Sequence, residues 1–137
     1  MTTKIFVIDD DAAVTDLLSV LLNTQGFSVW ATNSSSEGLT QIREKAPDLV
    51  ILDLMMPEMD GWEVCKAVRA FSDVPIIVLS ALNDPSMVAS VLDAGADDYL
   101  TKPTPSRVLV AHIKRLVDRK GQAVSINQNL PGTQPAS

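Results

Sequence analysis

The 137-residue sequence predicts an α/β fold, a five-stranded parallel doubly wound sheet with five flanking helices. Three observations carry this. Short unbroken apolar runs, such as Ile5-Phe6-Val7-Ile8 and Leu49-Val50-Ile51-Leu52, read as strands buried on both faces, the kind found inside parallel sheets. Longer stretches between them carry apolar residues at helical spacing and open on capping residues. The two kinds of segment alternate with short connections, which is the pattern of strand, crossover helix and parallel strand.

The elements follow in order. The first strand, residues 5–8, ends on Asp9, Asp10 and Asp11. A helix over residues 12–22 carries Val14, Leu17, Leu18, Leu21 and Leu22, and Gln25-Gly26 stops it. Residues 27–31 form a short second strand. Ser34 and Glu37 make a capping box for a helix with Leu39 and Ile42 inward. Gly38 weakens that helix by about 1 kcal/mol relative to Ala. The third strand, residues 49–52, ends on Asp53. Pro57 marks a loop, and Asp60 with Glu63 forms a second capping box. The helix it opens, to about residue 70, carries Trp62, Val64, Cys65, Val68 and Phe71. The fourth strand, residues 74–79, ends on Ser80. Asp84-Pro85 supplies an N-cap and an N1 proline to a helix whose apolar residues are Met87, Val88, Val91 and Leu92, and Gly95 ends it. The fifth strand, residues 98–101, ends on Lys102-Pro103. Thr104-Pro105 caps a last helix with Val108, Leu109, Ile113, Leu116 and Val117.

Residues 1–120 are therefore expected to form one folded domain. Residues 121–137 contain no charged residue and are rich in Pro, Gly, Gln, Asn and Ser, the composition of a flexible tail or a truncated interdomain linker. Eleven basic against seventeen acidic residues give a net charge of −6, which argues against nucleic-acid binding through the general field and suits a cation or a basic partner. Cys65 is the only cysteine, so no disulfide framework and no cysteine-based zinc site is expected. The first residues lead into a strand rather than a signal peptide, and no apolar run reaches the ~20 residues of a membrane helix. The expectation is a cytoplasmic protein with no membrane contact.

Chemistry gathers at the strand ends. Carboxyl ends of parallel strands share one edge, where open α/β sheets place their ligands. Asp9 and Asp10, Asp53, Ser80 and Lys102 should converge there. At about 4 Å and an effective dielectric near 20, each pair of carboxylates repels by roughly 4 kcal/mol. Lys102 or a divalent cation must offset this, and an all-oxygen cluster favours Mg²⁺ over zinc. Asp53 has the chemistry of a nucleophile towards phosphorus, since aspartate forms acyl phosphates. A metal and a lysine would neutralise phosphoryl oxygens, and the Ser80 hydroxyl could donate to them.

These residues, in this order, resemble the receiver domains of two-component response regulators. The motifs are Asp9-Asp10, Leu52-Asp53-x-x-Met56-Pro57-x-x-Asp60-Gly61, Ser80-Ala81, and Gly95-Ala96-Asp97-Asp98-Tyr99-Leu100-Thr101-Lys102-Pro103, and the resemblance covers about residues 4–119. It implies a flavodoxin-like sheet of order 2-1-3-4-5; a member of this family is a standard example of that order. It implies that Asp53 accepts a phosphoryl group from a phosphohistidine on a sensor histidine kinase or phosphotransfer protein. Asp10, Asp53 and the Met55 backbone carbonyl would ligate Mg²⁺, with Asp9 acting through water. Lys102 would contact the phosphoryl group across a cis bond to Pro103. Ser80 and Tyr99 would form the switch, biasing a surface of the fourth helix, fifth strand and fifth helix. Similarity to the transcription-factor branch implies a homodimer through that surface. Residues 83–96, however, contain no Lys or Arg, and Val108 stands where that branch often has an acid. Met55 and Leu82, both apolar, stand at two positions where the family varies and are expected to shield an acyl phosphate from water.

Each residue also has a plainer reading. Asp11 fits a helix cap, Asp53 alone a solvated strand end, Lys102 alone a surface lysine and Ser80 alone a turn former. Tyr99 fits a half-buried sheet residue. Met55, Met56, Met59 and Met87 fit core or loop fillers, and Cys65 a small core residue. His112 reads as a surface histidine without a partner at metal spacing. The combination of Asp9, Asp10, Asp53 and Lys102 favours the site. A phosphohydrolase of the haloacid dehalogenase type would need an acid at Met55. A flavin carrier would need a phosphate loop where three aspartates stand. The expected role is a phosphoacceptor that assists its own phosphorylation and dephosphorylation, not an enzyme acting on a separate substrate.

Overall fold

The structure, a computed structural model, describes residues 2–129, with residues 120–129 described in backbone alone. Strands and helices alternate: β1 (Lys4–Ile8), α1 (Ala12–Thr24), β2 (Ser28–Thr32), α2 (Ser35–Lys45), β3 (Leu49–Leu52), α3 (Gly61–Arg69), β4 (Ile76–Ser80), α4 (Pro85–Asp93), β5 (Asp98–Thr101) and α5 (Ser106–Asn129). The strands form one parallel sheet of order β2-β1-β3-β4-β5, as the resemblance implies.

Alternate side chains of each central strand leave on opposite faces, so an unbroken apolar run serves two cores. Phe6, Ile8, Val50, Leu52, Ile76 and Val78 pack with Ile42 of α2, Val64, Cys65 and Val68 of α3 and Val91 of α4. Ile5, Val7, Leu49, Ile51, Ile77 and Leu79 pack with Leu18 and Leu22 of α1 and Leu109, Ile113 and Leu116 of α5. Burial of each such side chain contributes about 1.5–3 kcal/mol, and most of these are fully buried. Register then levels the strand ends. Ile8 pairs with Leu52, so Asp9 and Asp53 leave the sheet side by side, and Asp53 N–H donates to the Ile8 carbonyl at 3.0 Å. Ser80 pairs with Thr101, and Lys102 N–H donates to the Ser80 carbonyl at 2.8 Å.

Local detail departs from the sequence reading at several points. Asp11 and Asp60 cap α1 and α3 as expected, and the Asp60–Glu63 box is complete. The Ser34–Glu37 box is only half made. The Ser34 hydroxyl accepts from Glu37 N–H at 3.2 Å, but the Glu37 carboxylate accepts from the Thr32 hydroxyl at 2.9 Å instead of reaching back to Ser34 N–H. Gly38 is buried where α2 meets the sheet, and an added Cβ would lie 2.6 Å from Ile8 Cδ1. Of the apolar α4 residues, only Val91 is buried, and Leu92 is 40% exposed. Phe71 lies beyond the end of α3, half-buried. His112 is half-buried with Nδ1 2.8 Å from Asp98 Oδ2, which also accepts from Arg115 Nη2 at 2.6 Å. The expected division near residue 120 falls inside α5, whose backbone is helical to Asn129; residues 130–137 lie outside the described residues.

Candidate functional site

The carboxyl edge of the sheet gathers residues from three non-adjacent segments. One carboxylate oxygen from each of Asp9, Asp10 and Asp53 lies within 4.8 Å of the others. Asp9 is 3% exposed, Asp53 9%, and Asp10 is exposed. Lys102, carried by the turn after β5, brings Nζ to 2.8 Å from Asp9 Oδ2 and 3.9 Å from Asp53 Oδ1. Asp9 Oδ1 accepts from Asp11 N–H at 3.0 Å, so both of its oxygens have donors. Asp53 is less well supplied. Burial pushes its carboxyl above the ordinary Asp value, and the negative Asp9 beside it adds to this. The Lys102 ammonium and the Leu54 N–H oppose the rise without cancelling it.

The loop after Asp53 is folded tightly against it. Leu54 and Met56 are buried, and Gly61 N–H donates to the Leu54 carbonyl at 2.9 Å. A Cβ on Gly61 would stand 2.8 Å from Leu54 Cα and 2.9 Å from the Asp53 carbonyl oxygen, so glycine is required there. Met55 follows Asp53 by two residues and is 57% exposed, while Leu82 is half-buried. Ser80 is buried at the end of β4, and its hydroxyl accepts from Leu82 N–H at 3.2 Å. The Tyr99 hydroxyl, half-buried, donates to the Leu82 carbonyl. The Lys102–Pro103 bond is cis, as the resemblance implies.

The structure therefore brings Asp9, Asp10, Asp53 and Lys102 together. Ser80 and Tyr99 instead meet at Leu82, in the loop between β4 and α4. Two residues escaped the sequence reading. Asn33 Nδ2 donates to the Asp9 carbonyl at 2.8 Å, and Glu58 accepts from the Ser34 hydroxyl at 2.8 Å. For Asn33 the available signal was its place directly after β2, which ends on the polar Thr32 at the same edge; Glu58 offered none. The donor set suits a hard divalent cation. Among the described residues, three carboxylates, two of them buried, face a single ammonium, and every ligand atom is oxygen. No described helix is long and apolar enough to cross a membrane.

Residues 5–114 match the family model of the response regulator receiver domain. Over 119 residues the chain is 42% identical to the DNA-binding response regulator MtrA of Mycobacterium tuberculosis, covering 87% of this chain and 52% of that protein. It is 44% identical over 122 residues to the transcriptional regulatory protein AfsQ1 of Streptomyces coelicolor, covering 89% and 54%. The chain thus spans about half the length of the curated relatives it matches. The name of MtrA includes DNA binding, so the expectation that this chain contacts no nucleic acid draws no support from its relatives. Among solved structures, a receiver domain protein from Methanospirillum hungatei superposes with a TM-score of 0.85 at 27% identity, covering 90% of this chain and 99% of that one. The BeF3-activated receiver domain of RstA from Klebsiella pneumoniae gives 0.81 at 31% identity, covering 84% and 98%. Fold, strand-end acids and relatives agree: this chain belongs to the response regulator receiver domain family of two-component signal transduction.

Proposed function

We propose that Asp53 is the phosphoacceptor of this receiver. The observation that carries the reading is the placement of one lysine, Lys102, within 3.9 Å of Asp53 and 2.8 Å of Asp9 on the carboxyl edge of the sheet. An Asp53 carboxylate oxygen attacks the phosphorus of a phosphohistidine on a sensor kinase or phosphotransfer protein. A P–O bond forms, the P–N bond breaks, and the imidazole leaves with the electron pair. Lys102 offers its charge to the incoming phosphoryl oxygens, and Asp9 holds the ammonium in place. Asp10, Asp53 and the Met55 carbonyl would hold Mg²⁺, with Asp9 acting through water. Bound there, the ion supplies charge neutralisation for the phosphoryl group.

Ser80 and Tyr99 are the proposed switch pair. Their shared tie to Leu82 supports this, because a change at Ser80 is felt by the loop that Tyr99 grips. Pairing of two copies through α4, β5 and α5 is the proposed output step, and the exposed apolar side chains Leu92 and Val108 lie on α4 and α5. Residues 1–120 act as the receiver unit, and residues 121–137 as a tail or a connection to a transcriptional output of the kind that the relatives' names describe. A cytoplasmic site of action follows from the kinase partnership. The test is incubation with acetyl phosphate and Mg²⁺ followed by intact mass. Wild type should gain one phosphoryl group and Asp53→Asn none; equal labelling of both would exclude Asp53.

A further inference from the structure

The corner between β2 and α2, residues 32–36, has no part in the chemistry above, yet it touches both loops that carry it. On one side Asn33 Nδ2 donates to the Asp9 carbonyl at 2.8 Å and to Thr15 Oγ1 on α1 at 3.1 Å. On the other side the Ser34 hydroxyl donates to Glu58 Oε1 at 2.8 Å, and the Ser36 hydroxyl lies 3.4 Å from Oε2. Ser34 can do this while capping α2, because its oxygen accepts from Glu37 N–H and its proton remains for Glu58. The Glu58 carboxylate stands against the first turn of α2, where the helix dipole favours negative charge. The Ser34 hydroxyl in particular holds its carboxyl below the ordinary Glu value.

Glu58 belongs to the loop from Asp53 to Asp60. Leu54 and Met56 anchor the apolar side of that loop in the core. Gly61 N–H on the Leu54 carbonyl closes the ends of the loop, but between them, among the described residues, no backbone N–H of residues 55–59 donates a hydrogen bond. The hydroxyls of Ser34 and Ser36 therefore supply the polar tie. We propose that Glu58 is a positioning residue, fastening the Asp53 loop to α2 while Asn33 fastens the Asp9 loop to the same corner. The spacing of the two loops, and with it the pocket's affinity for a divalent cation, depends on these contacts. The inference rests on reading the pocket as a Mg²⁺ site.

The test is Mg²⁺ titration of the full chain by calorimetry, joined to amide hydrogen exchange without metal. Glu58→Ala should weaken Mg²⁺ binding about threefold to tenfold, below the range for buried outer partners of metal ligands. It should also speed exchange across residues 54–60. Glu58→Gln keeps an acceptor for the Ser34 hydroxyl and should recover most of both effects. A Glu58→Ala protein that binds Mg²⁺ within about twofold of wild type, with exchange unchanged, would overturn the inference and leave the pocket reading intact. Absence of Mg²⁺ binding by wild type would overturn the pocket reading and this inference with it.

Discussion

At residue 53 a carboxylate sits beside Asp9 and Asp10 with one ammonium to serve all three, and burial raises its pKa. The consequence for stability has a definite sign. Its pKa is higher folded than unfolded, so the folded state binds the proton more tightly. The penalty from the charged form is present above the folded pKa and is relieved as pH falls through it. Asp53→Asn should therefore stabilise the metal-free protein at neutral pH and raise its Tm. Melting in EDTA across a pH series checks this, and the gain should shrink as pH falls. Met55 is a different case, exposed and apolar two residues after Asp53, the proposed acceptor. Met55→Asn should speed loss of the acyl phosphate a few-fold by admitting water, measured as decay of the phosphorylated mass. Asp53 was legible because an apolar run ended on it. Asn33 and Glu58 were not, because each is an exposed loop residue whose partner lies 24 positions away.

At the scale of elements, α2 and α4 separate propensity from packing. A glycine inside α2 reads as a weak point, and its replacement by Ala should gain about 1 kcal/mol from propensity. The new Cβ would meet Ile8, which is fully buried and cannot swing away. Overpacking of that kind costs about 1–3 kcal/mol. Gly38→Ala should accordingly lower stability in chemical denaturation; a net gain would show that α2 can lift from the sheet. Helix α4 shows the reverse. Met87, Val88 and Leu92 have the right spacing for a core face, but spacing does not report how deeply a helix sits. Its C-terminal connection is firmer. Arg69, at the end of α3, donates to the carbonyls of Gly95, Ser72 and Val74 and pairs with Asp97 at 3.0 Å. Asp97 in turn accepts from Ile76 N–H at 2.8 Å, so one guanidinium ties α3, β4 and the loop before β5. The cap at Asp60 was legible because both halves of its box are local. The one at Ser34 was half legible because Thr32 competes for Glu37.

Across the whole molecule, the strand order decides which termini meet, and β1 and β3 lie side by side with β4 and β5 beyond. The parallel sheet was readable from alternating apolar runs and amphipathic stretches. The relation of Ser80 and Tyr99 to Leu82 was not, since it depends on the path of one loop. A cation that binds the folded acids but not the unfolded chain adds stability by mass action. At a hundredfold excess over its Kd, Mg²⁺ should add about 2.7 kcal/mol. Saturable upward movement of Tm with Mg²⁺, largely lost in Asp10→Asn and reversed by EDTA, is the expected pattern. Finally, Lys102 and Asp9 are 93 positions apart and yet in direct contact. A chain emerging from the ribosome displays its three acids well before their lysine has been synthesised. With Lys102 in its proposed role, competence to receive a signal would arrive only once that late segment has been made.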